Sequence, residues 1–392
     1  MIQRRFMGPL ALLLTLAGAA PATAQSFIGV QAFGLPIEPL EARSIGAGNL
    51  GIGLRGLEMS ALDPTAGAWV PAPTVGVSMQ PTWGDFTLGT EAGSSNWTRF
   101  PLVAIVYPVV SLGGTVTLSL GEALEQRWVA EVESVSELGG VSVPATDRFE
   151  SEGGSSVARL GWIHRFGTRL AVGAVVGAYV GRLDQSFSRT LDSLAVGGNI
   201  QPFVDGGAWR YSGKTLTLGA SADPSDLLHV AGAVEWSTDL EATPQEGTSG
   251  EGRSFGVPMK LSAGATGTLT PRLHLNASVR MQDWSGADGL ANGEASDQSL
   301  SYGVGLEWRA LQRETRSVPL RFGYRSVGLP YKMDGTDMTE SAITMGLGLN
   351  FLETDGLRFG WLDVAMERGS RTGASLDETF WRATFSLGIS GF

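Results

Sequence analysis

The stretch Leu273–Gln282 reads LHLNASVRMQ and alternates strictly between apolar and polar side chains. Its apolar face carries Leu273, Leu275, Ala277, Val279 and Met281. A repeat of two is the signature of a β-strand with one apolar face. Membrane strands need about 9–11 residues, whereas strands of soluble proteins average about five or six. The length of this run therefore predicts a strand that crosses a membrane.

The same alternation recurs in the residues 170–180, 259–269, 300–309, 343–351 and 381–390. Short links separate some runs, at 108–112, 167–168, 222–226, 270–271, 311–316 and 353–356. Longer stretches rich in Gly and acidic residues separate the others, at 84–97, 122–155, 184–206, 239–256, 284–298, 327–340 and 367–378. Short turns on one side and long loops on the other are typical of outer-membrane barrels, and a soluble β-sandwich has no reason to show them. We therefore predict an all-β fold, a transmembrane antiparallel β-barrel of about 14 strands formed by residues 73–392.

The first 24 residues have the pattern of a secretory signal peptide. Arg4 and Arg5 precede the apolar run Leu10–Ala20, and Ala22-Thr23-Ala24 resembles a cleavage site. A retained anchor is the alternative, but the run is far shorter than the roughly 20 residues that a spanning helix needs. We expect export to the bacterial outer membrane, with a mature chain that begins at Gln25. The net charge of −11 argues against a nucleic-acid partner, and the absence of Cys excludes disulfides.

Tryptophans cluster near the predicted strand ends, as an interfacial aromatic girdle requires. The set is Trp83, Trp97, Trp162, Trp236, Trp284, Trp308, Trp361 and Trp381.

Residues 25–72 do not alternate and are rich in Gly and Ala. So short a segment is too small to build its own core. We expect it to form a plug, or hatch, inside the barrel.

Two motifs in this segment resemble the FadL family of outer-membrane transporters for hydrophobic compounds and its PorV-like relatives. The motifs are Ala42-Arg43-Ser44-Ile45-Gly46-Ala47-Gly48 and Asp63-Pro64-Thr65-Ala66-Gly67, where Asp63 replaces the usual Asn. Gln282–Ser285 and Pro319–Tyr324 are similar to strand ends of the same family. The resemblance implies a fourteen-stranded barrel with a small N-terminal hatch. It also implies that Ala42, Arg43, Gly46, Gly48, Asp63 and Pro64 belong to that hatch.

No catalytic or metal-binding pattern emerges from the sequence. His164, His229 and His274 lack metal-ligand spacing, and the acidic stretches at 283–294 and 334–340 do not match a calcium loop. Gly46–Gly51 satisfies G-x-G-x-x-G, but the βαβ context that dinucleotide binding requires is missing. We expect neither an enzyme nor a bound cofactor or metal.

Candidate ligand-binding residues come from two regions. By parity the lumen holds His274, Arg280, Arg309 and Arg321, which either pair with other charges or receive the carboxylate of an amphipathic ligand. Two long stretches carry apolar residues, among them Leu138, Val141, Phe187, Leu191, Leu194 and Phe203. Exposed apolar clusters mark binding surfaces or contacts between loops. The resemblance favours capture of a hydrophobic ligand, and loop packing over the barrel mouth explains the same residues.

We therefore expect passive transport of hydrophobic molecules such as long-chain fatty acids through a plugged barrel. The expected partners are outer-membrane lipid, a hydrophobic small molecule and, during biogenesis, the barrel-assembly machinery. The chief alternative is a PorV-like role in protein secretion or surface assembly. A general porin is a third interpretation, which the occluding plug disfavours.

Overall fold

A computed structural model describes residues 23–24, 34–88, 91–138, 140–192, 201–287, 295–313, 316–333, 335–354, 357–373 and 376–391. Residues 1–22 of the predicted signal peptide, residues 25–33 of the predicted plug and the candidate residue Leu194 lie outside these ranges. Helix α1 (Ala42–Gly46) and a 3-10 turn (Val110–Leu112) interrupt an otherwise β structure. None of the helices in the described ranges is long and apolar enough to cross a bilayer.

The strands within those ranges are β1 (Thr23–Ala24), β2 (Leu35–Pro36), β3 (Thr74–Leu88), β4 (Glu91–Val109), β5 (Gly114–Glu125), β6 (Trp128–Leu138), β7 (Val141–Phe166), β8 (Leu170–Leu191), β9 (Phe203–Ser212), β10 (Lys214–Ser225), β11 (Leu228–Ser237), β12 (Leu240–Pro244), β13 (Arg253–Phe255), β14 (Lys260–Thr270), β15 (Leu273–Asp283), β16 (Gln298–Arg313), β17 (Arg316–Met333), β18 (Thr336–Thr354), β19 (Leu357–Thr372) and β20 (Leu376–Ser390).

Fourteen of these strands form a closed antiparallel ring, which confirms the predicted fold class and strand number. The ring runs β3–β4–β5–β7–β8–β10–β11–β14–β15–β16–β17–β18–β19–β20, and β20 pairs back with β3. Closure leaves no free sheet edge in the bilayer, where an unpaired backbone group would be costly.

The predicted parity is also observed. On β15 the polar residues Asn276, Ser278 and Arg280 are buried. The apolar residues Val279 and Met281, which lie on either side of Arg280 in the sequence, are exposed. The polar face therefore lines the lumen, and the apolar face covers the outside of the barrel, as contact with lipid requires.

Our interpretation of the long stretches as loops is wrong for most of their length. Residues 84–97, for example, are the ends of β3 and β4, whose pairing continues from Gly84–Ser95 up to Leu88–Glu91. The strands extend in this way because ladder hydrogen bonds satisfy the backbone whether or not the side chains are apolar. Alternating hydrophobicity marks only the part of each strand that faces lipid.

Beyond the ring, β6, the first half of β7, the second half of β8, β9, β12 and β13 form an additional sheet at the long-loop end. We call it the projecting sheet. β6 pairs with residues 141–151 of β7, β8 pairs with β9 through Gly181–Tyr211 to Arg189–Phe203, and β12 pairs with both β9 and β13. The residues predicted to form apolar loops lie mainly on this sheet.

Residues 34–72 lie inside the ring. Wall glycines let the plug backbone approach the barrel closely: a Cβ on Gly173 would collide with the Pro64 carbonyl, and one on Gly303 with the Gly48 carbonyl. Gly46 of α1 packs in the same way against Gly346 of β18. The glycines of the plug and of the wall therefore allow the two backbones to pack in direct contact.

Three of the predicted girdle tryptophans are buried instead of interfacial. Trp361 packs against Met59 and Val70 of the plug, Trp284 packs in an apolar cluster at the long-loop end, and Trp97 is buried as well. On β19, Trp361 shares its parity with the buried Asp363, which places both inside the barrel. Trp83, Trp236, Trp308 and Trp381 are exposed, as an aromatic girdle requires, and Trp162 is half-buried.

Candidate functional site

The plug is anchored to the wall by a buried ion pair between Arg43 and Glu307. Arg43 Nε lies 2.9 Å from Glu307 Oε2, and the same oxygen accepts from Arg321 Nε at 2.7 Å. Arg321 Nη1 reaches Asp363 Oδ1 at 2.5 Å. The arginine of the predicted plug motif is thus part of a chain of alternating charges that ties the plug to β16, β17 and β19.

A second anchor lies closer to the long-loop end. Glu38 of the plug pairs with Arg280 of β15 and, at 2.9 Å, with Arg325 of β17. Arg280 also donates to the Leu50 carbonyl at 2.8 Å. A carboxylate between two guanidinium groups is a strong, charge-assisted arrangement. The first segment of the plug is held at this point.

Side-chain and backbone hydrogen bonds shape the plug motifs themselves. Glu41 caps α1 by accepting from the Ser44 amide at 3.0 Å, and the Ala42 amide donates to Ser386 Oγ at 2.8 Å. Asp63 Oδ1 accepts from the Thr65 amide and hydroxyl at 2.9 and 2.7 Å, while Asp63 Oδ2 accepts from the Gly53 amide at 3.1 Å. The Asp63 carboxylate thus closes the turn of the second plug motif.

The wall of the lumen carries a network of buried charges around Glu340 of β18. Its carboxylate accepts from Arg371 Nε at 2.7 Å, from Arg382 Nη1 at 3.0 Å and from Arg325 Nη2 at 3.2 Å. Glu367 pairs with Arg325 and Arg382 as well, and Glu378 with Arg371. These pairings match the first of our two interpretations of the lumen charges.

An apolar cluster lies between the charged network and the long-loop end of the barrel, and we call it the outer apolar cluster. Its buried members are Leu35, Ile37, Leu124, Leu183, Trp209, Tyr211, Leu240, Ala242, Phe255, Trp284, Leu329, Tyr331, Met333, Met338 and Leu376. They come from the plug, from the ring strands and from the projecting sheet. The cluster therefore joins the barrel mouth to the first residues of the plug, and its aromatic side chains make it the main candidate site for a hydrophobic ligand.

Few polar groups interrupt this cluster. The Tyr211 hydroxyl donates to Gln126 Oε1 at 3.0 Å, and burial raises the pKa of Tyr211 to about 12 although Arg253 opposes the shift. The Arg253 guanidinium lies over the Trp209 ring, 4.8 Å from its centroid. Tyr331 donates to the Gly34 carbonyl at 2.6 Å. The hydroxyl of Tyr331 thereby links the cluster to the plug.

The sequence-predicted candidates fall into two groups in the structure, one on the projecting sheet and one in the lumen. Leu138, Val141 and Phe203 are exposed on the projecting sheet, and Phe187 and Leu191 are half-buried there. The Phe187 ring lies 4.9 Å from that of Phe149 and 6.2 Å from that of Phe203. None of these residues belongs to the outer apolar cluster.

The lumen candidates are also divided. Arg280 and Arg321 are paired with carboxylates, and His274 Nδ1 lies 3.1 Å from Thr268 Oγ1. Arg309 lines a cavity at the short-turn end. Among the described residues, no group of three or more His, Asp or Glu side chains is arranged to hold a metal ion.

The outer apolar cluster is not among the sequence-based predictions, although the pattern of lumen-facing residues on β17 indicates it. On β17 the lumen parity of Arg321 and Arg325 continues through Leu329, Tyr331 and Met333. An apolar run at lumen positions indicates that the lumen turns from charged to apolar toward the long-loop end. The contributions of β9, β12 and the plug depend on tertiary contacts.

The fold and the lumen together define a class: a closed fourteen-stranded barrel of the outer-membrane type, with a plug inside it and a large apolar cluster at its mouth. Its structural neighbours are FadL-type channels for hydrophobic compounds, as the sequence motifs suggested. The CymD monoaromatic hydrocarbon channel shares 12% identity at a TM-score of 0.58, over 90% of this chain and 97% of its own.

Two further solved structures give the same result. The toluene transporter TodX of Pseudomonas putida matches at a TM-score of 0.57 with 12% identity, over 92% of this chain and 99% of its own. A FadL homologue of Pseudomonas aeruginosa matches at 0.53 with 14% identity, over 95% and 98%. Comparisons with protein-family models and with curated protein sequences gave no match. At these identities, the likeness establishes the fold.

Proposed function

We propose that this protein carries hydrophobic molecules, such as long-chain fatty acids, across the outer membrane by passive diffusion. The observation that carries the proposal is the outer apolar cluster, which joins the barrel mouth to Leu35 and Ile37 of the plug. A hydrophobic molecule gains free energy by leaving water for such a site, at roughly 25 cal/mol per Å² of apolar surface buried.

The plug supplies the coupling between binding and passage. Ile37 lies in the cluster, and the adjacent Glu38 is anchored to Arg280 and Arg325. A ligand that inserts between Ile37 and the wall competes with the packing that holds this segment. We propose that displacement of residues 34–40 opens the way onward, and that transport follows the concentration gradient.

The names of the structural neighbours support a hydrophobic cargo, since CymD is a monoaromatic hydrocarbon channel and TodX a toluene transporter. The cluster itself accepts either an aromatic ring or an alkyl chain, because Trp209, Phe255 and Leu240 offer both kinds of contact. Comparing oleate with toluene therefore determines which cargo the site prefers.

The test is uptake of radiolabelled oleate and toluene by cells that lack their own FadL-type channels and express this protein. Trp209→Ala removes a buried aromatic side chain from the cluster, and Trp308→Ala is its matched control on the lipid face. We expect Trp209→Ala to lower uptake of at least one cargo about tenfold, since burial of an aromatic side chain contributes roughly 1.5–3 kcal/mol. Uptake that equals that of cells without the protein, for both cargoes, would refute the proposal.

A secretion or surface-assembly role is the second candidate, and one observation favours it. The projecting sheet exposes Val135, Val141, Phe203 and Val204 to the outside. Exposed apolar residues on a sheet are typical of protein contacts. Copurification of a stable exported protein, lost in a Val135→Ser, Val141→Ser variant that still takes up ligand, would support this role.

A further inference from the structure

A cavity of about 230 Å³ lies at the short-turn end of the lumen, between the plug and the barrel wall. Thr74 and Ser390, where the barrel begins and ends, form part of its lining. The plug contributes the apolar side chains of Trp69 and Val70, and the wall contributes Arg309. The cavity is therefore amphipathic, and it lies at the opposite end of the lumen from the outer apolar cluster.

Arg309 differs from the other arginines of this lining. Arg43 and Arg321 pair with Glu307, and Arg55 lies 3.5 Å from Asp223. Within the described ranges, whose nearby gaps are 314–315 and 355–356, the half-buried guanidinium of Arg309 has no ion pair and no side-chain hydrogen bond.

Four carboxylates line the cavity, those of Glu58, Asp63, Asp223 and Glu307, and the last three are engaged away from Arg309. Glu307 accepts from two arginines, Asp63 closes its own turn, and Asp223 lies 3.0 Å from His229 Nδ1. A partly buried charge is stabilised chiefly by an opposite charge. The planar guanidinium matches the two oxygens of a carboxylate or phosphate. Arg309 therefore presents an anion-binding group to an amphipathic cavity.

We propose that this cavity is a second binding site, which receives the anionic head group of an amphipathic molecule before it enters the periplasm. Arg309 holds the head group, and Trp69, Val70, Pro71 and Pro319 contact the first carbons of the chain. Pockets that enclose drug-sized ligands measure roughly 300–1,000 Å³, so this cavity holds the head and not the whole tail. The inference rests on the proposed function and adds the requirement that the transported molecule carries a negatively charged head group.

The test is binding of oleate and of uncharged oleyl alcohol to the purified full-length protein in a non-ionic detergent, by equilibrium dialysis. The variants are Arg309→Gln, the conservative Arg309→Lys, and Arg272→Gln as a control that removes an exposed arginine at the same end of the barrel. Heat-modifiable migration in electrophoresis verifies that each barrel is folded. Oleoyl lysophosphatidate, used in place of oleate, distinguishes a lipid phosphate from a free carboxylate.

We expect two oleate sites in the wild type, and a second site about tenfold or more weaker in Arg309→Gln, because a hydrogen bond to a charged group is lost. Arg309→Lys and Arg272→Gln keep both sites, and oleyl alcohol binding is the same in all variants. A tighter lysophosphatidate site that needs Arg309 would support the cavity and assign it to a phosphate head group.

Equal oleate binding by the wild type and Arg309→Gln would overturn the second site. So would an Arg309→Gln variant that loses oleyl alcohol binding to the same extent as oleate binding. These outcomes are distinct from failure of the proposed function, in which the wild type binds neither oleate nor oleyl alcohol. In a Trp209→Ala variant, the Arg309-dependent oleate site should persist while the other site weakens. Loss of both sites in that variant contradicts two separate sites.

Discussion

Arg43 of the plug and Glu307 of the barrel wall are joined by a buried ion pair of 2.9 Å, although 264 residues separate them in the chain. Arg43 also donates to the carbonyls of Gly56 and Arg55, at 2.8 and 2.9 Å. One side chain thus holds the plug together and fastens it to the wall. Whether the plug keeps the lumen closed should depend on this pair.

We predict that Arg43→Gln destabilises the plugged state by about 3–5 kcal/mol, because it leaves a buried carboxylate with one partner fewer. Conductance in planar bilayers should rise, since the plug fills the lumen. The exposed pair Arg182–Asp184 provides the control, as Arg182→Gln should leave the conductance unchanged because water screens an exposed ion pair. If the conductance of Arg43→Gln equals that of the wild type, the pair does not hold the plug.

A second prediction concerns the wall glycines. Gly173→Ala should displace the plug, because its Cβ would meet the Pro64 carbonyl, and overpacking typically costs about 1–3 kcal/mol. Gly232→Ala is the matched control on the neighbouring part of the wall, where the nearest atom, the Ser262 carbonyl oxygen, lies 3.8 Å away. Protease digestion of the folded protein should cut the plug of the first variant faster. Equal digestion rates for the two variants would show that the plug adapts to the added methyl group.

Much of this architecture can be predicted from the sequence, because a strand that crosses the bilayer must turn apolar side chains to lipid and can turn polar ones to the lumen. Alternation of apolar and polar residues on β15 predicted both the strand and the direction of Arg280, and the six short links predicted the turns. Trp361 departs from the predicted girdle because its position near a strand end does not decide its direction: it has the parity of Asp363, and both are buried inside the barrel. The strand extensions beyond the membrane were missed because their side chains do not alternate.

The pairing of the plug with the wall could not be predicted in the same way. Glu38 meets Arg280 and Arg325 across 242 and 287 residues of sequence, and no local pattern indicates which lumen arginine faces which plug carboxylate. The register of a closed ring and the path of the plug decide these contacts together. For the same reason, the sequence identified Arg309 and Arg321 as equivalent lumen cations, whereas the structure shows that they have different surroundings.

The third prediction tests the charged network. Glu340→Gln should be among the most destabilising substitutions in the barrel, by about 3–5 kcal/mol, because three buried arginines lose a shared partner. Glu137→Gln, at an exposed position on β6, should change stability by less than about 0.5 kcal/mol. Urea unfolding of the protein in detergent micelles measures both. A Glu340→Gln barrel as stable as the control would mean that the remaining carboxylates, Glu367 and Glu378, compensate fully.

The fourth prediction concerns the hydrogen bond from the Tyr331 hydroxyl to the Gly34 carbonyl, at 2.6 Å. Tyr331→Phe removes this bond and keeps the ring in the outer apolar cluster, so the first segment of the plug should loosen by about 1 kcal/mol. Local opening governs amide exchange. The Ile37 amide, which donates to the Ala123 carbonyl at 2.8 Å, should therefore exchange with deuterium roughly fivefold faster.

Tyr324→Phe is the control for this measurement, because Tyr324 lies on the same strand but faces lipid. Its Ile37 exchange should match that of the wild type. If Tyr331→Phe speeds both exchange and oleate uptake, movement of residues 34–40 limits passage. Faster exchange with unchanged uptake would instead place the slow step elsewhere along the route, while unchanged exchange would show that the Tyr331 hydrogen bond does not hold this segment.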